Sequence, residues 1–236
     1  MLRPRTYPEL IGKALVLEAQ PFTTMAEDDE PWVEGLVLVV SIGVLVALAK
    51  LVGGLLLTAS LPPADAVLAA LLNAWQEFMA QVAPSADLAA SEAQLRQAWS
   101  TMLLATGYGG GWERLLGLIF TPLGLIVQWL AAALIVFVVA RLLGGRGTLN
   151  QTLGATALMV APQVLLLVEV VPFVSVSSLL LLVWGMLILY RAVEVAHELP
   201  WRSAALTAVV PYALLILILL VIATVASLAL RLGGFQ

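Results

Sequence analysis

Several places along the chain hold residue types that could do chemistry. The first is "RLLGGRGTLNQTLGATALMVAP", Arg141 to Pro162, where two arginines flank a glycine cluster. Backbone amides of such a loop, with guanidinium groups beside them, can hold phosphate. A nucleotide P-loop, however, needs G-x-x-x-x-G-K-[ST], with a lysine on the terminal phosphates. "GGRGT" has neither that spacing nor the lysine. It reads instead as a tight membrane turn: Gly144, Gly145 and Gly147 reverse the chain, and Thr148 with Gln151 matches a capping box that starts the next helix. Arg141 and Arg146, next to that helix N-terminus, are then a candidate contact for an anionic lipid headgroup.

Lys50 and Glu169 are the clearest ionisable residues inside apolar runs. Each is costly to leave unpaired in hydrocarbon, so an intramembrane ion pair between them is expected. Used as a solute or proton path, the same two residues would need help from Gln128 and Gln163, and no chain of further carboxylates accompanies them. His197, the single histidine, sits in "RAVEVAHELPWRSA" with Glu194 and Glu198 on one helical side. Zinc sites draw on more nitrogen or sulfur ligands than this, and the chain has no cysteine. The stretch therefore reads as an end-of-helix cluster in which Arg191 and Arg202 pair the acids. Ser175, Ser177 and Ser178 lie in no nucleophile-elbow context, and neither H-E-x-x-H nor G-x-S-x-G occurs. No catalytic residue, cofactor site or metal site is expected.

The elements that must position these residues follow from composition. The 236 residues are 62% hydrophobic and 11% charged, with a mean hydropathy of +1.04. Soluble domains carry about a quarter charged residues. The chain reads as an all-α integral membrane protein, because apolar runs of roughly 20 residues recur with charges gathered between them. Five spans are expected, at about 33–57, 115–139, 149–170, 174–190 and 204–230. No basic patch suits nucleic acid, and the N-terminus lacks the uninterrupted apolar core of a cleavable signal.

Residues 1–31 form an expected cytoplasmic tail, and 32–236 the membrane domain, with 60–114 as an insertion. In the tail, Thr6 and Glu9 predict a capping box and a helix over about Pro8–Gln20. That helix would lie in the interface or pack on the protein's own spans, and "AEDDEP" follows as an acidic linker. In the insertion, Leu68, Leu71, Leu72, Trp75, Phe78 and Val82 recur at helical spacing. A second amphipathic helix starts near 85–87, and the two together make a helical hairpin. Pro122, Pro162 and Pro211 interrupt spans as packing kinks. With the N-terminus inside, Arg3, Arg5, Lys13, Arg141, Arg146, Arg191 and Arg202 are cytoplasmic, whereas Arg96, Arg114 and Arg231 are outside. The positive-inside rule favours that topology and makes the hairpin extracytoplasmic.

The order of these features carries a resemblance. "GGRGTLNQTLGATALMVAP", a short apolar hairpin, the Trp-containing "LLVWGMLILYRAVEVAHELPWRSA" and a final "VVPYALLILILL" together resemble the prokaryotic branch of the Yip (Ypt-interacting protein) domain family. "RPRTYPEL" is similar to the Arg-Pro-led segment before the first span of many such proteins, and the likeness is strongest over Leu115 to Ala223. The resemblance implies a five-span helical scaffold with no known catalysis, in the cytoplasmic membrane of a prokaryote. Eukaryotic relatives bind prenylated small GTPases and one another. The acidic Asp-Leu-Tyr-Gly-Pro type of segment in their tail is absent here, so GTPase binding is not carried over. The expected function is non-enzymatic, through contacts with membrane lipids and with other membrane proteins or itself, either organising the membrane or serving in a complex. The alternative is a small transporter or channel using Lys50 and Glu169.

Overall fold

The computed structural model describes residues 6–83, 88–106 and 113–233, and their regular structure is entirely helical. In chain order the elements are α1 (Tyr7–Leu15), α2 (Gln20–Ala26), α3 (Pro31–Ser60), α4 (Ala64–Val82), α5 (Leu88–Thr106) and α6 (Glu113–Leu142). Then come α7 (Leu149–Thr156), which passes directly into a 3₁₀ segment (Ala157–Val170), α8 (Ser178–His197) and α9 (Trp201–Gly233). Five stretches are long and apolar enough to cross a membrane: Pro31–Ser60, Leu115–Leu142, Leu149–Val170, Ser178–His197 and Trp201–Val225. The fold is thus the all-helical, five-span membrane architecture that the composition dictates. The start of the second hairpin helix near 85–87, the turn at 107–112, and Arg3 and Arg5 lie outside the described residues.

Contacts divide the chain into two compact units. One contains 1–43, 122–164 and 177–236; the other contains 44–121 and 165–176. In the first, α1 packs on α2 and α8, α2 on α7 and α8, and α8 on α9. Close approach depends on glycines at particular points. A Cβ on Gly43 would sit 2.6 Å from Pro122 Cα, so the proline of α6 is seated against α3 where no side chain stands in the way. A Cβ on Gly154 would run into Met25 O and lie 2.6 Å from Pro31 Cβ, so α7 accepts α2 only as glycine.

The tail differs from its expected form. Thr6 has helical backbone angles and makes no side-chain cap bond, so the capping box does not form. The helix ends at Leu15, because Leu17 turns left-handed (φ 62) and the chain restarts as α2, with Phe22 and Met25 fully buried. Sequence periodicity did not find α2, since seven residues are too short for a helical pattern. The N-terminal helix packs on α2 and α8. Trp184 Nε1 donates to Leu15 O at 2.9 Å, and Arg191 Nε donates to Leu17 O at 3.2 Å. These donors lie roughly 20 and 10 Å in from the His197 end of α8, so the α1–α2 turn reaches well down that span. At the helix start, Tyr7 Oη donates to Glu34 Oε2 at 2.5 Å. Burial and the Glu34 carboxylate push the Tyr7 phenol above its ordinary pKa. Glu9 and Lys13, one turn apart on α1, pair at 2.7 Å, which holds the carboxyl below and the ammonium above its ordinary value.

In the second unit, α4 and α5 pair through Trp75 Nε1 donating to Ser91 Oγ at 3.1 Å and Gln76 Nε2 donating to Glu92 Oε1 at 2.7 Å. Leu71, Phe78 and Val82 form an exposed stripe along α4, while Leu72 is buried on its other side.

The third span holds the largest departure from ideal geometry. After the eight residues of α7, the next 14 are 3₁₀, although such runs rarely exceed three or four residues. Pro162, expected as a kink, lies inside this segment and has no N–H to give to any ladder.

Candidate functional site

The glycine turn and the end of α8 form one structure. Gly145 N–H donates to Ala140 O at 2.8 Å, closing α6, and Gly144 takes φ 90, which suits glycine. Arg146 N–H crosses to His197 O at 3.2 Å and ties the α6–α7 turn to the α8–α9 turn. Thr148 then caps α7 reciprocally: its Oγ1 accepts from Gln151 N–H at 3.3 Å, and Gln151 Oε1 accepts from Thr148 N–H at 2.9 Å. The capping box predicted from "TLNQ" is therefore present.

His197 is the centre of this junction, 1% exposed. Thr152 Oγ1 lies 2.8 Å from both Thr148 O and His197 Nε2, so this hydroxyl joins the imidazole to the first turn of α7. The other ring nitrogen, Nδ1, faces Gly145 and Gly147, where it has no hydrogen-bond partner among the described residues. A Cβ on Gly145 would be 2.9 Å from Nδ1; one on Gly147 would be 3.0 Å from it and would run into Ala196 O. Phe137 closes a further side, its ring centroid 6.3 Å from that of His197. The glycines thus act as a cradle for an imidazole as well as a chain reversal.

The expected exposed cluster around His197 is corrected on this point. The histidine is buried because the α6–α7 turn, distant in sequence, folds over it. Arg191 does pair Glu194, as expected. Arg202 instead lies over the Trp201 ring at 5.2 Å, and Glu198 lies 4.0 Å from Arg146 with both side chains well exposed. That outer pair contributes well under ~1 kcal/mol. Glu198 also takes φ 52 at the C-terminal end of α8, a conformation that favours glycine. Glu198→Gly should therefore raise stability by about 0.5–1 kcal/mol, measured as a higher melting temperature in detergent; a lower one would mean that Arg146 depends on this carboxylate.

Of the two candidate headgroup residues, Arg146 points outward, and Arg141 lies in the last turn of α6 with Nη1 donating to Gly145 O at 3.4 Å. The surrounding rim is apolar and aromatic: Leu142, Leu143 and Trp201 are exposed, the tryptophan by 61%. This combination of arginine, tryptophan and leucine is what a membrane–water boundary selects. Among the described residues no group of three His, Asp or Glu side chains is placed to hold a metal.

Lys50 and Glu169 lie in the second unit. Glu169 Oε1 accepts from Val176 N–H at 3.4 Å, and Lys50 is exposed. Among the described residues the ion pairs are Glu9–Lys13, Arg146–Glu198 and Arg191–Glu194, so Lys50 and Glu169 are not brought within pairing distance. Gln128 is exposed on α6 and Gln163 is half-buried in the 3₁₀ segment.

Glu34 and Thr152 escaped the sequence reading. Glu34 is a buried acid in the first turn of α3, and its signal was a lone carboxylate at the head of an apolar run. Thr152 gave no signal, since a threonine in a capped helix resembles any other until its distant partner is known. A family model, the Yip1 domain, matches residues 15–223. No curated protein and no solved structure matches the chain significantly.

Proposed function

The chain belongs to the Yip1 domain family, and from that premise we propose that it is a non-enzymatic multi-pass membrane protein that works through contacts with anionic lipid at the rim built on the glycine turn. One observation carries this reading: the turn bearing Arg141 and Arg146 is locked to His197, so two guanidinium groups stand on a rigid base beside exposed Leu142 and Trp201. Arginine forks match phosphate oxygens, and a fixed backbone lowers the entropy lost on binding. On this reading the rim faces the cytoplasm of a prokaryote across its plasma membrane, with the N-terminus inside and the C-terminus outside, an orientation that the excess of arginine and lysine in the loops on that side supports. Anionic headgroups attract each basic residue near the surface by about 1 kcal/mol. Partners beyond lipid are other membrane proteins or further copies of the chain, organised around the lipid that it holds.

Native mass spectrometry of protein released from nanodiscs of mixed phosphatidylglycerol and phosphatidylcholine tests this reading. Wild type should retain phosphatidylglycerol preferentially, and the double variant Arg141→Gln/Arg146→Gln should lose about tenfold or more of that preference. Monomer released with no preferred lipid would overturn the proposal.

A further inference from the structure

Lys50 and Glu169 occupy neighbouring helical segments at one level. Gly53, one turn beyond Lys50 on α3, is packed so closely on the backbone of Glu169 that a Cβ there would run into Glu169 O. Residues three apart on a helix share a face, so Lys50 and Glu169 flank one contact. They nevertheless form no ion pair: Glu169 spends Oε1 on a long bond from Val176 N–H, and the exposed Lys50 ammonium has no partner among the described residues.

Their depth explains how charges can stay apart without prohibitive cost. A hydrocarbon core of about 30 Å is crossed in roughly 20 α-helical residues. Within the apolar stretch Pro31–Ser60, Lys50 lies two thirds of the way along α3. Along the third span, Leu149–Val170, Glu169 is the last residue but one. Both residues therefore lie in the later part of their spans, on the side from which a long lysine side chain can snorkel toward water. In the same unit the connection after Glu169 is apolar and exposed, with Phe173 76% accessible beside Val171 and Val174, as suits a loop resting among lipids.

A cation and an anion that flank one helix contact, unpaired and within reach of the headgroup region, are complementary to a headgroup that carries both charges. We propose that Lys50 and Glu169 bind the headgroup of a phosphoethanolamine lipid, the Lys50 ammonium holding the phosphate and the Glu169 carboxylate accepting hydrogen bonds from the primary amine. A trimethylated choline headgroup carries the same charges but has no N–H to donate, so the site discriminates between the two. This inference rests on different residues and a different lipid chemistry from the arginine rim, and stands without it.

The test is native mass spectrometry of the full chain released from nanodiscs containing equal phosphatidylethanolamine and phosphatidylcholine. Wild type should retain phosphatidylethanolamine about tenfold over phosphatidylcholine. Glu169→Gln should remove that preference while phosphatidylcholine retention stays, Lys50→Met should lower retention of both, and Lys50→Arg should keep the wild-type pattern. Melting temperatures within a few degrees of wild type would show that the variants are folded. Three results would overturn the proposal: an intact preference in Glu169→Gln; a double Lys50→Glu/Glu169→Lys variant that restores stability lost in each single one, which means a direct ion pair; or displacement by soluble glycerophosphoethanolamine at equal concentration, which means that a free solute is recognised. Failure here would leave phosphatidylglycerol retention at Arg141 and Arg146 untouched.

Discussion

Gly147→Ala should destabilise the protein by about 3 kcal/mol, seen as a melting temperature roughly 6–12 °C lower in detergent. The added methyl would run into Ala196 O and stand 3.0 Å from His197 Nδ1. One obstacle is backbone at the end of α8 and the other is a fully buried ring, so neither can swing aside. The contrast with neighbouring glycines makes the expectation specific. At Gly144 nothing lies within 4 Å, so alanine there meets only the φ of 90°, worth about 1 kcal/mol. At Gly124, inside α6 with the same open space, alanine should be neutral or stabilise by up to ~1 kcal/mol through helix propensity. Equal melting temperatures for the variants at 147 and 124 would show that the turn does not clasp His197. Since the arginine rim stands on that clasp, Gly147→Ala should also weaken phosphatidylglycerol retention.

Trp129→Ala should cost about 3–5 kcal/mol and is expected to abolish recovery of folded protein at growth temperature. Trp129 is 1% exposed and, among the described residues, the largest fully buried side chain. It sits where three elements meet: its Nε1 donates to Leu153 O at 3.1 Å, and a Cβ on Gly35 would be 3.0 Å from its ring. In a bilayer the lost energy is chiefly packing and the hydrogen bond, because lipid offers apolar surroundings to the unpacked chain as well. Trp129→Phe separates these contributions: it keeps most of the ring volume and should cost about 1–2 kcal/mol. Fluorescence-detected gel filtration after a heating series measures both. Alanine no worse than phenylalanine would mean that the interior of this unit tolerates a cavity of indole size.

Much of the fold was legible in local composition. Span number and approximate position follow from run length, since a bilayer admits only segments that satisfy their own backbone bonds over its thickness. The third span was placed at 149–170, where the structure has it, because the Thr148–Gln151 box marks its start chemically. Two proline effects were partly legible: Pro122 and Pro211 do lie inside helices, but the long 3₁₀ run around Pro162 carries no sequence mark. The tail was misread in detail because its structure is tertiary. Leu15 O and Leu17 O are held by Trp184 and Arg191, and nothing near residue 17 announces donors so far along the chain.

The sequence by itself determined the class of the protein, the number of its spans and the glycine turn with its cap. Each of these depends on neighbours within a turn or two, or on the bulk balance between apolar and charged residues. Tertiary structure alone decided the environment of the charged and polar groups. His197 reads as a surface residue beside two acids, and is buried because a distant turn with no Cβ at Gly145 or Gly147 closes over it. Lys50 and Glu169 read as an ion pair, whereas Glu169 accepts instead from the N–H of Val176 in the turn that follows its span, and Lys50 is exposed. The physical reason is common to both: a side chain's chemistry is local, whereas its burial and its partner depend on which distant backbones approach it.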